Sequence, residues 1–123
     1  MIIDHIGLSV SNYERSKAFY TKTLAPLGIV LIMEHAGWAG FGRDGKPELW
    51  IQESDAPQNP LHIAFSAHDA DVVDAFYHVA LEAGAKDNGP PGFREIYHPH
   101  YYAAFVIDPD GYNIEAVCHT AKR

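Results

Sequence analysis

Leu61-His62-Ile63-Ala64-Phe65-Ser66 repeats the opening segment Asp4-His5-Ile6-Gly7-Leu8-Ser9, and this repetition decides the fold. The second copy begins 57 residues after the first (61 minus 4). The same offset carries Ala18-Phe19-Tyr20 onto Ala75-Phe76-Tyr77. A strand-like segment and the helical segment after it therefore occur twice in register, which indicates two copies of one structural unit.

Each copy is predicted to form a strand, a helix and two or three further strands. The first strand, 2–10, is rich in aliphatic residues and is predicted to be buried on both faces. Ser11 and Glu14 fit a capping box at the start of a helix that ends before Pro26. The remaining predicted elements are strands over 29–34, 38–42, 48–53, 61–67, 101–107 and 113–118, a loop over 86–93, and a helix that Asp69 or Asp71 caps and that ends at Gly84.

These elements predict one domain over residues 1–123. The first module covers about 1–53, a linker with two prolines covers 54–60, and the second module covers about 61–119. One such unit cannot bury both faces of a sheet backed by a helix, so two units must pair. The sequence therefore predicts an α+β domain in which two similar modules share a core.

Composition excludes several classes of partner. The chain has 123 residues, is 47% hydrophobic and carries a formal charge of −7 with only nine lysines and arginines. Nucleic acids and anionic membranes require clustered positive charge, so neither is an expected partner. The single cysteine, Cys118, rules out a disulfide framework within the chain and is typical of a reducing compartment. The N-terminus lacks a basic segment, and no run approaches the roughly 20 apolar residues of a membrane span, so a cytoplasmic protein is expected.

Two duplicated histidines and one carboxylate suggest a metal site. His5 and His62 occupy equivalent places in the two copies and will face each other if the first strands are neighbours. Imidazole binds transition metals well, but two ligands are too few for a tight site. Glu115 lies in an otherwise apolar strand, where it either faces solvent with Asn113 or is buried with a partner. We favour metal ligation, because the duplicated histidines would supply that partner.

The order of motifs resembles the vicinal oxygen chelate superfamily, which includes glyoxalase I, fosfomycin- and bleomycin-resistance proteins and extradiol dioxygenases. The resemblance covers nearly the whole chain. The matching segments are Asp4-His5-Ile6, the helix from Ser16 to Tyr20 with Leu24 to Gly28, Leu61-His62-Ile63, and Asp108-Pro109-Asp110-Gly111 leading into Ile114-Glu115.

The resemblance implies both a fold and a ligand set. The implied fold is two paired βαβββ modules that form an open, barrel-like mixed sheet with the helices outside. The implied ligands of a divalent metal ion (Zn, Ni, Fe or Mn) are His5, His62 and Glu115. Such a 2-His-1-carboxylate set leaves open positions where a substrate can present two adjacent oxygens.

The sequence departs from glyoxalase I at a fourth ligand position, which in that enzyme is usually a glutamate on the last strand of the first module. Glu115 lies four residues after Gly111, whereas Leu49 lies four residues after Gly45. A shift of one residue in the alignment of the two copies decides whether the carboxylate of Glu48 occupies the fourth ligand position. Glu48, Trp50 and Gln52 share a face, and we favour Trp50 as a cavity wall over Glu48 as a ligand.

Other residues are candidates for substrate contact or proton transfer. Without the fourth carboxylate the expected base is missing, and the segment 97–102 offers His100 as a catalytic candidate besides Glu115. Arg94 could hold a carboxylate or phosphonate by a bidentate contact. Trp50 and Tyr102 would suit an aromatic or apolar substrate.

We therefore expect a metal-dependent enzyme that acts on a small molecule by lyase, isomerase or dioxygenase chemistry. The alternative is a protein that sequesters a drug-like ligand without metal, as the bleomycin-resistance relatives do. Because those relatives lack the full ligand set, the set present here favours the enzyme. Small members of the superfamily usually form homodimers, in which modules are either exchanged between chains or paired within one chain, and a homodimer is expected here.

Overall fold

The computed structural model describes residues 3–55 and 61–122. Its elements follow the order βαβββ twice, with one additional short strand in the second module. The first module contains β1 (Ile6–Val10), α1 (Tyr13–Thr23), a 3-10 turn (Ala25–Leu27), β2 (Val30–His35), β3 (Trp38–Arg43) and β4 (Lys46–Glu53). The second module contains β5 (His62–Ser66), α2 (Ala70–Glu82), β6 (Lys86–Asp87), β7 (Gly92–Phe93), β8 (Tyr102–Ile107) and β9 (Asn113–Cys118).

Each module forms its own sheet, in which the first strand lies parallel to the last. The strand orders are β1-β4-β3-β2 and β5-β9-β8-β6, with β7 also paired to β8. Each helix packs on its own sheet, and α1 contacts α2. The predicted α+β fold of two βαβββ modules is confirmed. Over 3–55 and 61–122, the two sheets are not hydrogen-bonded to each other and form no closed barrel.

Each sheet has a covered face and an open face, because a helix packs on one side only. On β1, Leu8 and Val10 are buried in the core, whereas Gly7 is exposed and Ser9 is half-buried. The prediction that β1 is buried on both faces was therefore wrong. The term open face is used below for the sheet face that points away from the helices.

Several predicted boundaries shift. β1 begins at Ile6 rather than at position 2, so Asp4 and His5 precede the strand, and residues 1 and 2 lie outside the described residues. Asn12, rather than Ser11 with Glu14, caps α1 by accepting from the Arg15 amide at 3.0 Å. The predicted loop 86–93 contains β6 and β7. Positions 56–60 of the predicted linker lie outside the described residues.

The remaining predicted cap is resolved in favour of one alternative. Asp69, rather than Asp71, caps α2 by accepting from the Val72 amide at 2.9 Å. The last strand, β9, has the predicted bounds, 113–118. The strand that carries Glu115 was therefore placed correctly from its sequence.

The turn between β8 and β9 fastens the second module to the first. Asp110 accepts at Oδ1 from the Ser11 amide (2.9 Å) and hydroxyl (2.7 Å), and at Oδ2 from the Ser16 hydroxyl (3.1 Å). Beside it, the buried Tyr20 hydroxyl donates to the buried carboxylate of Asp108. Ser11 is thus used to bind this turn, which explains why it does not cap α1.

Within the described residues, no helix combines the length and the apolar character that crossing a membrane requires.

Candidate metal centre

Glu115 and His62 lie side by side on the open face of the second sheet. β5 and β9 are parallel neighbours, and Ala64 faces Glu115 across the pair. Ile114 and Ala116 point into the core, so the side chain between them points to the open face. The Glu115 side chain is nevertheless only 3% exposed. Of the two alternatives for this carboxylate, the structure favours burial with partners over exposure to solvent.

The hydrogen bonds of His62 determine which of its nitrogens is free. Nδ1 lies 3.1 Å from the carbonyl oxygen of Asn113, which can only accept, so Nδ1 carries the proton. Nε2 then presents a lone pair, and it faces Glu115 Oε1 at 3.0 Å. Two acceptors at this separation repel each other unless a proton or a metal cation lies between them. The pair is therefore built to share a positive charge.

This donor pair fits a divalent transition metal. Two ligands at right angles, each about 2.1 Å from one cation, lie about 3.0 Å apart. That separation matches the distance of 3.0 Å between His62 Nε2 and Glu115 Oε1. A metal-binding imidazole commonly donates its other N–H to a backbone carbonyl, as His62 does to Asn113.

Tyr101 binds the second oxygen of Glu115. Its hydroxyl donates to Oε2, so each carboxylate oxygen has its own neighbour. Burial, with the Glu115 carboxylate adding to it, raises the pKa of Tyr101 far above its ordinary value, so the hydroxyl stays a donor. Sequence reasoning missed Tyr101, although it singled out the segment 97–102 that contains it. The signal available was a tyrosine beside histidines just before a strand that pairs with β9.

His5 is held by its neighbour but does not join the pair. Its Nδ1 lies 2.8 Å from Asp4 Oδ1, and the other Asp4 oxygen lies 3.3 Å from Lys46 Nζ. The hydrogen bond from His5 and the Lys46 ammonium lower the pKa of Asp4. Over 3–55 and 61–122, no three histidine, cysteine or acidic side chains converge closely enough to hold a metal ion. One chain therefore brings together His62 and Glu115 without His5.

Two cavities border His5. The larger, of about 870 Å³, lies on the open face of the first module, where Trp38, Trp50, Gln52 and His35 contribute to its walls. A second cavity of about 430 Å³ is lined by both His5 and His62, with Glu48 and Arg43 among the other residues. The two histidines thus line a common space.

Strand register identifies the residue of the first module that corresponds to Glu115. Gly7 faces Trp50 across β1 and β4, and Ala64 faces Glu115 across β5 and β9. Ala64 is the copy of Gly7 at the 57-residue offset (64 minus 7), so Trp50 occupies the position that corresponds to Glu115. The indole lies against Gly40, where an added Cβ would come within 2.8 Å of the ring. The first module thus presents an aromatic surface where the second presents a carboxylate.

Comparison with known proteins places these residues in a family. A model of the Glyoxalase/Bleomycin resistance protein/Dioxygenase superfamily matches residues 2–116, a range that contains His5, His62 and Glu115. The chain belongs to this superfamily.

Relatives in the superfamily match most of the chain. Metallothiol transferase FosB from Shouchella clausii (strain KSM-K16) is 31% identical over 117 residues, which cover 92% of this chain and 77% of that protein. The crystal structure of a glyoxalase/bleomycin resistance protein from Albidiferax ferrireducens T118 has a TM-score of 0.83, with 27% identity and coverage of 96% and 98%. A glyoxalase/bleomycin resistance protein/dioxygenase family enzyme from Burkholderia phytofirmans PsJN has the same fold, with a TM-score of 0.73, 18% identity and coverage of 94% and 97%.

Among the other residues that the sequence predicts for the site, Arg94 lies on the same sheet face as Glu115. Its guanidinium carbon is 5.5 Å from the centre of the Phe105 ring, and that ring stacks on His62 with centroids 6.2 Å apart. The guanidinium also donates to the Pro90 carbonyl at 2.7 Å. Arg94 is therefore separated from His62 by the Phe105 ring.

Tyr102 and His100 lie elsewhere. Tyr102 packs on the helix side of its sheet and donates to Asp74 of α2 at 2.7 Å; burial, aided by Asp74, raises its pKa to about 12. His100 Nδ1 lies 2.9 Å from the carbonyl oxygen of Ala121 and donates to it. The structure therefore brings neither residue to Glu115. The two-residue period of a strand explains why Tyr102 points away from Glu115, because adjacent residues on β8 point to opposite faces.

Proposed function

We propose that this protein is a metal-dependent enzyme of the superfamily in which His62, Glu115 and His5 bind a divalent cation. The observation that carries the proposal is the Nε2 of His62 facing Glu115 Oε1 at 3.0 Å, with Nδ1 committed to a backbone carbonyl. A bound cation supplies Lewis-acid stabilisation of the negative charge that develops on a substrate oxygen. The relative named metallothiol transferase supports a metal-dependent role.

We further propose that His5 completes the site across a homodimer with exchanged modules. Both sheets leave a face uncovered by helices, and apolar side chains remain exposed on the first sheet, including Trp38 at 47% and Val30 at 55%. A second copy would cover such surface. In that arrangement the His5 of one chain meets the His62 and Glu115 of the other.

The reaction that these residues support best is the transfer of a thiol to a small electrophile that carries adjacent oxygens. In such a transfer a C–S bond forms, a C–O bond of the same substrate carbon breaks, and its electron pair stays on the oxygen, which takes the thiol proton. Trp50 corresponds to Glu115 in strand register, and we propose that it takes the place of the carboxylate base that the resemblance to glyoxalase I implies, which supports thiol transfer over isomerisation. We propose that Arg94, whose guanidinium lies over the Phe105 ring, binds an anionic group of the substrate and that Trp50 forms an apolar wall of the cavity.

Metal analysis tests the proposal. The protein, purified without added metal and then reconstituted with Zn²⁺, Ni²⁺, Fe²⁺ or Mn²⁺, is expected to bind about one equivalent per chain. Glu115→Gln, which keeps the shape and removes the charge, is expected to abolish uptake, whereas Asp74→Asn on α2 serves as the matched control. Less than about a tenth of an equivalent, with no uptake on reconstitution, would instead favour metal-free ligand sequestration.

A mixing experiment tests the exchanged dimer. His5→Ala and His62→Ala are each expected to bind no metal alone. In an exchanged heterodimer, one site carries both substitutions and the other carries neither, so random mixing restores about a quarter of the sites. Modules that pair within one chain would give no recovery.

Activity is then screened with the metal-loaded protein. The screen compares thiol addition to small electrophiles, the methylglyoxal–glutathione adduct, and catechols under oxygen, with His5→Ala as the control. Turnover of the glutathione adduct or of catechols, without thiol addition, would replace thiol transfer by isomerase or dioxygenase chemistry.

A further inference from the structure

We infer that Tyr101 is a positioning residue that restricts Glu115 to a single metal-binding oxygen, an inference that rests on the function proposed above. Glu115 Oε1 faces His62 Nε2 at 3.0 Å, while Oε2 accepts the hydroxyl proton of Tyr101. The two oxygens therefore have different tasks. Oε1 is available to the cation, whereas Oε2 already accepts a hydrogen bond from the Tyr101 hydroxyl.

The backbone of Tyr101 is fixed on both sides. Its carbonyl accepts from the Arg94 amide at 2.8 Å, and its amide donates to the His98 carbonyl at 3.2 Å. These two bonds close the loop between β7 and β8 over the open face of the second sheet. The hydroxyl consequently reaches Glu115 from a rigid support rather than from a free loop.

The ring of Tyr101 is enclosed by three other rings. The ring centres of Tyr97, His119 and His98 lie at 4.8, 5.1 and 5.5 Å from its own. The two histidines are joined to each other, with His98 Nε2 3.0 Å from His119 Nδ1, and His98 Nδ1 accepts from the His100 amide at 3.2 Å. This cluster holds the tyrosine in the orientation that its hydrogen bond to Glu115 requires.

The consequence concerns the number of open positions on the cation. A carboxylate whose second oxygen is free can rotate or bind through both oxygens. A hydroxyl donor on that second oxygen opposes both changes, because either would break the hydrogen bond. Each coordination position of the cation that Glu115 does not occupy is available to an oxygen of the substrate. Tyr101 therefore preserves the capacity of the bound cation to take two adjacent substrate oxygens.

Tyr101→Phe tests the inference, because it removes the hydroxyl and keeps the ring inside the cluster. Tyr97→Phe is the matched control, since it removes a hydroxyl from the same cluster at a side chain that is 61% exposed. We measure Zn²⁺ affinity by competition with a chelator, the visible spectrum after Co²⁺ substitution, and thermal unfolding without metal. Tyr101→Phe is expected to lower the affinity about 10- to 100-fold and to change the Co²⁺ bands, whereas Tyr97→Phe changes neither.

A second measurement uses the unsubstituted chain, so it does not depend on the folding of a variant. Infrared spectra of protein labelled with ¹³C-glutamate are recorded with and without Zn²⁺. A wide separation of the asymmetric and symmetric carboxylate bands indicates one bound oxygen, and it is the expected result.

The outcomes separate this inference from the proposed function. Normal metal uptake together with unchanged affinity and Co²⁺ bands in Tyr101→Phe, or a narrow separation of the carboxylate bands, would overturn the inference alone. Absence of metal uptake by the unsubstituted chain would overturn the proposed function and the inference with it.

Discussion

Trp50 and Glu115 occupy equivalent positions in the two modules, one facing Gly7 and the other facing Ala64 across a parallel strand pair. The duplicated unit therefore carries its buried carboxylate in the second module only. The protein offers three candidate ligands, and the position in the first module that corresponds to Glu115 carries an aromatic side chain.

Trp50→Glu is expected to strengthen metal binding. The substitution places a second carboxylate on the same module as His5, at the position that corresponds to Glu115 in strand register. We expect a rise in Zn²⁺ affinity of about 10-fold, which corresponds to about 1.4 kcal/mol. Competition titration measures it, and Trp50→Gln is the neutral control. Equal affinities for the two variants would show that the position does not face the cation.

Gly40→Ala is expected to displace the indole of Trp50. A Cβ at this position would meet ring atoms at 2.8 and 2.9 Å and Pro47 Cβ at 3.0 Å. Overpacking of this kind costs about 1–3 kcal/mol. Urea unfolding measures the loss, and the emission maximum of Trp50, recorded with Trp38→Phe in the background, reports the displacement.

Gly7→Ala is the matched control for Gly40→Ala. It lies on the neighbouring strand opposite Trp50, and a Cβ there meets nothing within 4 Å. Its unfolding free energy is expected to change by less than about 0.5 kcal/mol. Equal losses from the two substitutions would show that contact with the indole is not the cause.

How far sequence predicts this site depends on which interactions are local. The strand 113–118 follows from its apolar residues. Those residues alone leave Glu115 either buried or facing solvent, and the duplicated histidines are what favour burial with a partner. The identity of Trp50 as its counterpart does not follow, because counting from Gly45 leads to Leu49. The hairpin before β4 turns through Asp44 and Gly45 at positive φ, and the β3–β4 register shifts between Phe41 and Gly42, so the turn glycines are not equivalent.

Residues that arrive by loops are harder still to predict. Tyr101 reaches Glu115 only because the chain between β7 and β8 folds back and is tied at Arg94. The predicted strand 101–107 contains both Tyr101 and Tyr102, and only the structure shows that the first binds Glu115 and the second binds Asp74 on the opposite side. His5 matches His62 by repetition, yet the repeat does not reveal that one chain leaves the two histidines at separate places in the cavity walls.

Asp108 is expected to make stability depend on pH. Burial raises the pKa of Asp108 above the ordinary value of 3.8, although the Tyr20 hydroxyl and the amides of Tyr112 and Asp110 oppose this rise. The folded state thus binds the proton more tightly than the unfolded state. The stabilising contribution is complete below the ordinary pKa and is lost as pH rises through the folded value.

Asp108→Asn removes that titration. Between about pH 3 and pH 7, the unfolding free energy of the unsubstituted protein is expected to fall relative to that of Asp108→Asn. Urea unfolding at a series of pH values measures the difference, and Asp44→Asn, in an exposed turn, is the control. A difference that does not vary with pH would contradict the expectation.

Asp110→Ala is expected to loosen the contact between the modules. It removes three hydrogen bonds from Ser11 and Ser16 to one carboxylate that is 10% exposed. Bonds to a charged group of this kind predict a loss of about 2–4 kcal/mol in unfolding free energy. Urea unfolding measures it against Asp44→Asn, and a loss below about 0.5 kcal/mol would mean that the turn is not a fastening point.

The Asp110 contact also makes the two copies impossible to interchange. The 57-residue offset places His68 and Val73 where Ser11 and Ser16 would stand in a chain built from two second modules (11 plus 57, 16 plus 57). A valine has no hydroxyl to offer, so a carboxylate from the adjoining turn would lose the donor that Ser16 supplies here. The first module supplies the serine donors and the second supplies the carboxylate, so a tandem of identical halves would lack one side of this contact.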